Sequence, residues 1–350
     1  MRDEIIYLDH AATTPPLPCA IEAFLTAPFE NASSGHACGQ AARNRLEEAR
    51  ATVARCIGAE PSEIVFVSGA TEGAATVLHT LYQEGFYIEA SPIEHHSTLE
   101  NIPMPERDSI LDTKAYVTML VNNETGLIMA LPKKETEYQM LYSDLTSAVG
   151  HILVDVKELG LDYATFGAHK FGGLAGIGAI YVRKGLPLHP LLKGGGQERG
   201  MRAGTESVAL ASAMAAALEW QLENHDRNFL HVVRLRAEML AALRATEYAV
   251  NNDGYASPYI LNVSFPGAEN GALALMLSNE GVMVSTGAAC TTGDNAPSHV
   301  LMEIYGDEAR ARSAIRISFS HATTEDEVKI AAKKIVDCVK TLRGMTGWQK

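Results

Sequence analysis

The chain has 350 residues, of which 47% are hydrophobic and 20% are charged. These proportions exclude a disordered chain and a coiled coil, and the length allows one large domain and one smaller domain. The formal net charge is −13, which argues against direct nucleic-acid binding because that binding depends on neutralising phosphates. No apolar run approaches the roughly 20 residues of a membrane helix. The first residues carry acids before any apolar stretch, so no secretion signal is expected.

The cysteines indicate a reducing compartment. There are five, an odd number with no CxxC spacing: Cys19, Cys38, Cys56, Cys290 and Cys338. This argues against a disulfide scaffold and against a structural zinc site. We therefore expect a cytoplasmic globular protein, and most simply an enzyme.

Hydrophobic periodicity predicts the elements in chain order. Helices are predicted over residues 40–56, 72–82, 210–245 (interrupted near 224–228) and 324–342, the last behind a helix-start signature at 323–327. Strands are predicted over residues 64–67, 116–121, 140–142, 163–166, 178–182, 259–265, 281–285 and 315–319. The order strand, glycine loop, helix over 64–82 is the first half of a parallel α/β unit. We predict a large, mostly parallel-sheet domain over residues 1–235, with the first residues packing on a small α+β domain over 236–350.

Lys170 is the first candidate for chemistry. It follows a predicted strand and precedes a glycine-rich loop, in the sequence FGAHK. The carboxyl end of a strand in an α/β domain faces the ligand crevice, where a desolvated lysine can form a Schiff base. The alternative is a solvated surface lysine.

Three further candidates come from the same predicted domain. Asp144 ends a strand, where its carboxylate could pair with a pyridinium nitrogen or simply cap a helix after the strand. Residues 68–71 (SGAT) open a helix and could bind phosphate through backbone N–H groups, although a glycine turn alone is a weak signal. His95 could stack on a planar cofactor or shuttle protons, while a lone histidine is more often structural.

Two candidates lie in the predicted small domain. Cys290 lies in a loop rich in Gly, Thr and Asn, which suits an exposed nucleophilic thiolate better than a buried thiol. Arg316 is a charge within a strand-like run, so it needs an anionic partner. A substrate carboxylate fits its bidentate fork, and a structural ion pair fits equally well.

Taken in order, these motifs resemble the cysteine desulfurases, which are pyridoxal-phosphate enzymes of the class V aminotransferase group with the fold-type I (aspartate aminotransferase-like) α/β architecture. The resemblance runs nearly end to end. It rests on residues 7–15 (YLDHAATTP), 68–72 (SGATE), 94–95 (EH), 121–124 (VNNE), 169–170 (HK), 176–182 (GIGAIYV), 194–200 (GGGQERG), 202–206 (RAGTE) and 289–291 (ACT). The longer cysteine loop resembles the branch that serves iron–sulfur assembly and tRNA thiolation.

The resemblance implies a role for each site residue. Lys170 would hold pyridoxal 5'-phosphate as a Schiff base and act as acid and base at the substrate Cα, with His95 stacked on the ring. Arg316 would bind the carboxylate of L-cysteine. Cys290 would take the substrate sulfur as a persulfide, and L-alanine would be released. The persulfide sulfur would then pass to an acceptor protein, which is an iron–sulfur scaffold or a tRNA-thiolation enzyme. The other cofactor-binding residues would be Ala70, Thr71, Asn123, Asp144, Ser147, Gly167, Ala168 and His169. Thr205 would reach the cofactor from the other subunit of a homodimer. Asn123 and Asn31 would also contact the substrate.

Residues 73–75 (GAA) and 31–34 (NASS, without the usual proline) depart from the family pattern, as do two positions of the expected cofactor site. Ser147 stands where a glutamine usually bonds the ring hydroxyl, and Gly167 stands where a serine usually bonds the phosphate. Residues 100–116 and 125–138 are also shorter than the family norm. Alternative functions are a related selenocysteine lyase or cystine C–S lyase, and a non-catalytic relative that keeps the fold as a docking surface.

Overall fold

The computed structural model describes residues 5–103, 113–136, 138–252, 254–287 and 296–348. The strands in these ranges are β1 (Ile6–Tyr7), β2 (Ile64–Val67), β3 (Tyr87–Ala90), β4 (Lys114–Val117), β5 (Met140–Asp144), β6 (Tyr163–Gly167), β7 (Gly178–Val182), β8 (Ala249–Val250), β9 (Ile260–Ser264), β10 (Val282–Met283) and β11 (Ala314–Ser318). The α-helices are α1 (Pro18–Thr26), α2 (Ala37–Cys56), α3 (Ala70–Gln83), α4 (His96–Leu99), α5 (Val208–Glu223), α6 (His225–Leu243), α7 (Asn270–Asn279), α8 (His299–Tyr305), α9 (Glu308–Arg312) and α10 (Glu325–Thr346).

Internal contacts divide the chain into two units. The sheet unit comprises Pro15–Val121 and Met129–His225, and the terminal unit comprises Met1–Thr14, Asn122–Ile128 and Asp226–Lys350. The predicted domain boundary at residue 235 stays a prediction. No helix in the described ranges is both long and apolar enough to cross a bilayer.

The sheet unit is built on six strands in the order β2-β7-β6-β5-β4-β3. Strands β3 to β6 are parallel, and β7 runs antiparallel to both β6 and β2. At the first residue of β7 a Cβ would lie 2.8 Å from Gly69 and from the Phe166 carbonyl. Gly178 therefore allows the loop after β2 to approach β6 closely.

A buried ion pair fastens the segment around residue 198 to β2. The Arg50 guanidinium donates to both carboxylate oxygens of Glu198, at 2.7 and 2.8 Å, and each side chain is 2% exposed. The same contacts reach the strand, since Phe66 N donates to Glu198 and Arg50 donates to Ile64 O. Glu198 and Arg199 adopt left-handed φ angles of 46° and 57°. Such angles cost about 1–3 kcal/mol per residue, so the buried ion pair holds a strained turn in place.

The terminal unit contains a three-stranded antiparallel sheet, in the order β11-β9-β8, and the parallel pair β1–β10. Its core includes Leu235, Val263, Ile317 and Ile335, all fully buried. Helix α10 begins with the predicted capping box, in which Thr324 and Glu327 satisfy each other's backbone N–H groups.

Most predicted elements are confirmed, and two predicted strands are wrong in their bounds. The strand predicted over 116–121 is β4, which ends at Val117. Thr118 N and Leu120 N still donate to β5, but Met119 N, between them, donates to the Glu94 carboxylate and not to a strand. The strand predicted over 281–285 is only Val282–Met283 plus an isolated bridge at Ser285. Helix α2 begins three residues earlier than predicted, with His36 Nδ1 accepting from Gly39 N as its cap. Elements that sequence reasoning missed include α1, β3 and α7.

Candidate active site

The carboxyl ends of the sheet-unit strands carry the predicted cofactor residues. Strands β2 to β6 all run in one direction, so their carboxyl ends lie at one edge of the sheet. Asp144 ends β5, Gly167 ends β6, and the loop at Ser68 follows β2. This edge is where ligands bind in open α/β sheets.

The N-terminus of α3 has the features of an anion-binding site. Gly69 precedes this 14-residue helix in an extended conformation, and no side chain of the N-cap residue caps the helix. A Cβ at Gly167 would lie 3.7 Å from Ala70 N and 3.5 Å from His169 Cδ2. The structure thus brings Ala70, Gly167 and His169 together at the positive end of a helix dipole, which suits a phosphate.

Glu72 connects the loop before α3 to the segment that carries Thr205. Its carboxylate accepts from Ser68 N at 2.7 Å and from Arg202 Nε at 2.9 Å. Burial opposes ionisation of Glu72, but the hydrogen bonds from Arg202 and Ser68 lower its pKa overall. Thr205 is exposed and lines a cavity of about 120 Å³ together with Ser68 and Arg202.

Lys170 closes a short 3-10 turn, Ala168–Lys170, that follows β6 directly. Ala168 is fully buried, while His169 and Lys170 are half-buried. Burial, together with the Lys170 charge, lowers the pKa of His169 to about 4. Without a bound ligand His169 is therefore neutral at pH 7, and one of its ring nitrogens carries an N–H donor.

Asp144 is 6% exposed at the end of β5. Its Oδ1 accepts from Thr146 N at 2.8 Å in the turn that follows β5; residues 146–150 form a turn and not a helix, so the predicted alternative of a helix cap is wrong. Ser147 lies half-buried in the same turn.

Glu94 is a second buried carboxyl group, and its charge interacts with that of Asp144. Its Oε1 accepts from Met119 N at 2.6 Å, and the residue is fully buried. Burial, with a smaller contribution from the Asp144 charge, raises the pKa of Glu94 to about 8. At pH 7 Glu94 is therefore mostly protonated.

His95 has a defined tautomer. Its Nδ1 accepts from Ser97 N at 3.1 Å and lies 2.7 Å from Ser97 Oγ, which makes His95 the N-cap of α4. Because Nδ1 accepts, the proton of the neutral ring resides on Nε2. Asn31 is exposed, and its Oδ1 accepts from Ser33 N in a local turn.

Arg316 is the predicted substrate residue of the terminal unit. It lies in β11 and is 5% exposed. Its Nη1 donates to Asn123 O and its Nη2 to Asp9 Oδ1, both at 2.9 Å. The predicted alternative of an ion pair is therefore observed, but the buried Nε–H has no acceptor among the described residues. An unpaired buried donor costs about 1–3 kcal/mol, which an anionic ligand would recover.

Cys290 lies outside the described residues. On either side of its segment, two described residues contact the buried carboxylate of Glu124. Ser298 Oγ donates to Glu124 Oε2 at 2.5 Å, and a Cβ at Gly287 would lie 2.9 Å from the same oxygen. Glu124 is adjacent to Asn123, so one turn contacts Arg316 and both flanks of the cysteine segment.

Sequence reasoning missed four acidic residues that organise these sites: Asp9, Glu72, Glu94 and Glu124. Each lies inside a motif that carries the family resemblance, and that was the available signal. Their partners are distant in sequence, as with Asp9 and Arg316, so spacing alone could not reveal them.

The architecture is that of an α/β fold-type I (aspartate aminotransferase-like) protein, which confirms the predicted fold class. A solved NifS-like protein superposes with a TM-score of 0.88 at 31% identity, covering 96% of this chain and 100% of that one. A NifS-like protein from Rickettsia africae gives a TM-score of 0.86 at 26% identity, with 97% and 100% coverage.

Sequence comparison is equally extensive. The chain is 35% identical to the cysteine desulfurase IscS of Dictyoglomus turgidum, across 99% of this chain and 97% of that relative. It is 33% identical to an IscS-like cysteine desulfurase of Mycobacterium tuberculosis, across 96% and 97%. The aminotransferase class-V family model matches residues 6–109 and 106–330. The chain belongs to the aminotransferase class-V family.

Proposed function

We propose that this protein is a cysteine desulfurase, which converts L-cysteine to L-alanine and passes the sulfur, as a persulfide on Cys290, to an acceptor protein. The observation that carries the proposal is the edge of the six-stranded sheet. Three features lie at the carboxyl ends of strands that run in the same direction. They are the N-terminus of α3, which has no side-chain cap, the turn that ends in Lys170, and the buried Asp144. The similarity to curated cysteine desulfurases over nearly the whole chain supports the same activity.

Pyridoxal 5'-phosphate fits these residues on three counts. A phosphate suits the start of α3, where Ala70 and Thr71 begin the helix and His169 and Ala70 N both lie close to Gly167. An aspartate beside the ring nitrogen keeps that nitrogen protonated, and Asp144 is buried at the end of β5. A covalent anchor needs an amine, and Lys170 follows β6 at the same edge.

When bound, the cofactor supplies an electron sink that makes the substrate Cα proton acidic. Lys170 Nζ would hold the cofactor covalently and would take and return the Cα proton of the substrate. His95 would stack on the ring, with Nε2–H as its proton donor. Asp144 keeps the ring nitrogen protonated, while the protonated Glu94 adds no competing charge at neutral pH.

Arg316 binds the substrate carboxylate through those guanidinium N–H groups that do not donate to Asn123 O or to Asp9. The Cys290 thiolate then attacks the substrate sulfur, forming an S–S bond as the substrate Cβ–S bond breaks. The electron pair of the broken bond stays with the substrate carbon, which takes up a proton and leaves as alanine. No external oxidant or reductant is consumed in this step.

The same proposal covers the assembly and the partners. The protein acts as a homodimer in the cytoplasm, and Thr205 of each subunit reaches the cofactor phosphate of the other. Its exposure, and the tie from Glu72 to Arg202 three residues before it, support this role. The sulfur acceptor is an iron–sulfur scaffold or a tRNA-thiolation protein.

The test is product analysis with L-cysteine, added pyridoxal phosphate and a reducing thiol. We expect alanine and sulfide in equal amounts from the wild type. Cys290→Ser abolishes sulfide release, whereas the matched control Cys38→Ser, at an exposed thiol in α2, retains it. Full sulfide release by Cys290→Ser would favour a C–S lyase, and no product from the wild type would favour a non-catalytic relative.

A second experiment addresses the anchor. Borohydride reduction of the cofactor-loaded protein is expected to fix the label to Lys170, as mapped by peptide mass. A label on Lys193, in the glycine-rich segment, or on any other lysine would refute the assignment.

A further inference from the structure

Two of the three guanidinium nitrogens of Arg316 have hydrogen-bond partners among the described residues. Nη1 donates to the Asn123 carbonyl, Nη2 pairs with the Asp9 carboxylate, and the buried Nε–H has no acceptor in the described part of the chain. A purely structural ion pair would be expected to satisfy all the donors of a guanidinium this deeply buried. The arrangement instead leaves a donor for a ligand.

The backbone sets the position of Asp9 accurately. Strand β1 pairs with β10, Leu8 N donates to Met283 O, and Ser318 N donates to Leu8 O. Asp9 then bridges to Ser318, which lies on the same face of β11 as Arg316 because residues two apart share a face. Residues 9–13 are also held by the Tyr7 side chain, since Tyr7 Oη donates to the carbonyls of Asp9 and Thr13.

Charge gives Asp9 a role that a carbonyl could not fill. The Arg316 side chain is 6% exposed, and that of Asp9 is 24% exposed. A cation this deeply buried needs an anionic partner to remain in place before substrate arrives. Asn123 supplies only a carbonyl, so among these two partners Asp9 alone supplies charge.

We propose that Asp9 is a positioning residue for the reaction: it holds the Arg316 guanidinium in the orientation that binds the carboxylate of the amino-acid substrate. This inference rests on the proposed function. Asp9 itself does not contact the reacting atoms. Its contribution is to the binding of substrate, and the chemical steps at sulfur do not depend on it.

The test compares Asp9→Ala, Asp9→Asn and a matched control, Asp307→Asn, which alters the N-cap of α9 in the same unit. Steady-state kinetics with L-cysteine measure KM and kcat for each. We expect Asp9→Ala to raise KM about tenfold, equivalent to about 1.4 kcal/mol, with kcat within about twofold. Asp9→Asn keeps an oxygen acceptor for Nη2 but removes the charge, so we expect it to restore only part of the affinity. Asp307→Asn leaves both constants unchanged.

A binding measurement separates this inference from the proposed activity. L-Alanine has the same carboxylate as the substrate, and ligand binding raises the melting temperature of the loaded protein. We expect Asp9→Ala to lose most of the L-alanine-dependent shift, even if the wild type yields no sulfide. In the Arg316→Lys background, where the guanidinium is already absent, Asp9→Ala should cause no further decrease in the L-alanine-dependent shift.

Two results would overturn the proposal. One is a fall in kcat at unchanged KM, because that would place Asp9 in a chemical step. The other is an Asp9→Ala protein that keeps the wild-type KM and the wild-type L-alanine shift.

Discussion

Replacing Gly167 with serine tests whether the start of α3 is the phosphate site. The backbone at Gly167 has φ −115° and ψ 138°, an extended conformation that serine adopts without strain. A new Cβ would meet His169 Cδ2 at 3.5 Å and Ala70 N at 3.7 Å, ordinary contact distances. The added hydroxyl would therefore lie beside the helix N-terminus without displacing its neighbours.

The expected effect is a large gain in cofactor affinity. A hydrogen bond to a charged group contributes about 1.5–3 kcal/mol, and about 1.4 kcal/mol changes an equilibrium constant tenfold. Gly167→Ser should therefore bind pyridoxal phosphate about ten- to a hundredfold more tightly than the wild type, which we expect to purify partly depleted.

Equilibrium dialysis of the stripped protein against pyridoxal phosphate measures the dissociation constant directly. Gly167→Ala is the matched control, because it adds the Cβ and the backbone stiffening without the hydroxyl. Equal dissociation constants for the serine and alanine variants would refute the reasoning. They would show that the phosphate lies elsewhere or that other donors already saturate it.

Two further predictions concern stability. Glu198→Gln removes the anionic partner of Arg50 inside the sheet unit, and should lower the free energy of unfolding in urea by about 3–5 kcal/mol; a loss below about 1 kcal/mol would mean that Glu47, 3.1 Å from Arg50 Nε, compensates. The pKa of Glu94 is raised from 4.5 to about 8, so the folded state keeps a proton that the unfolded state loses. The contribution of Glu94 to the free energy of unfolding of the wild type should therefore fall as pH rises from about 4.5 to 8, by up to about 1.4 kcal/mol per pH unit. Glu94→Gln should remove this contribution, and parallel stability–pH curves for the two proteins would contradict the assigned protonation.

Elements with a continuous apolar pattern could be predicted from the sequence. Strands β2, β6 and β7 and helix α10 match their predicted ranges closely, since burial on both faces or a capping box marks each one. The end of β4 could not be predicted, because a side chain from the loop after β3 takes the N–H of Met119. The contact between Glu94 and Met119 depends on tertiary structure, so the local sequence around Met119 does not indicate it.

The candidate site divides in the same way. The strand-end positions of Asp144 and Lys170 follow from local order, and the structure agrees with them. The pairing of Asp9 with Arg316 spans 307 residues of chain and depends on how β1 docks between other strands. The catalytic and binding roles of the individual residues, including that of Cys290, stay predictions.

The segment around Glu198 also protects the sheet against other chains. Strand β2 is the last strand at its side of the sheet, where unpaired backbone groups could template strand addition by a second molecule. Here Glu198 accepts from Phe66 N, while Arg50 and Arg199 donate to Ile64 O. Charged side chains thus occupy the hydrogen-bonding positions that an aggregating strand would use, so the protein can keep a fully apolar strand at the margin of its sheet.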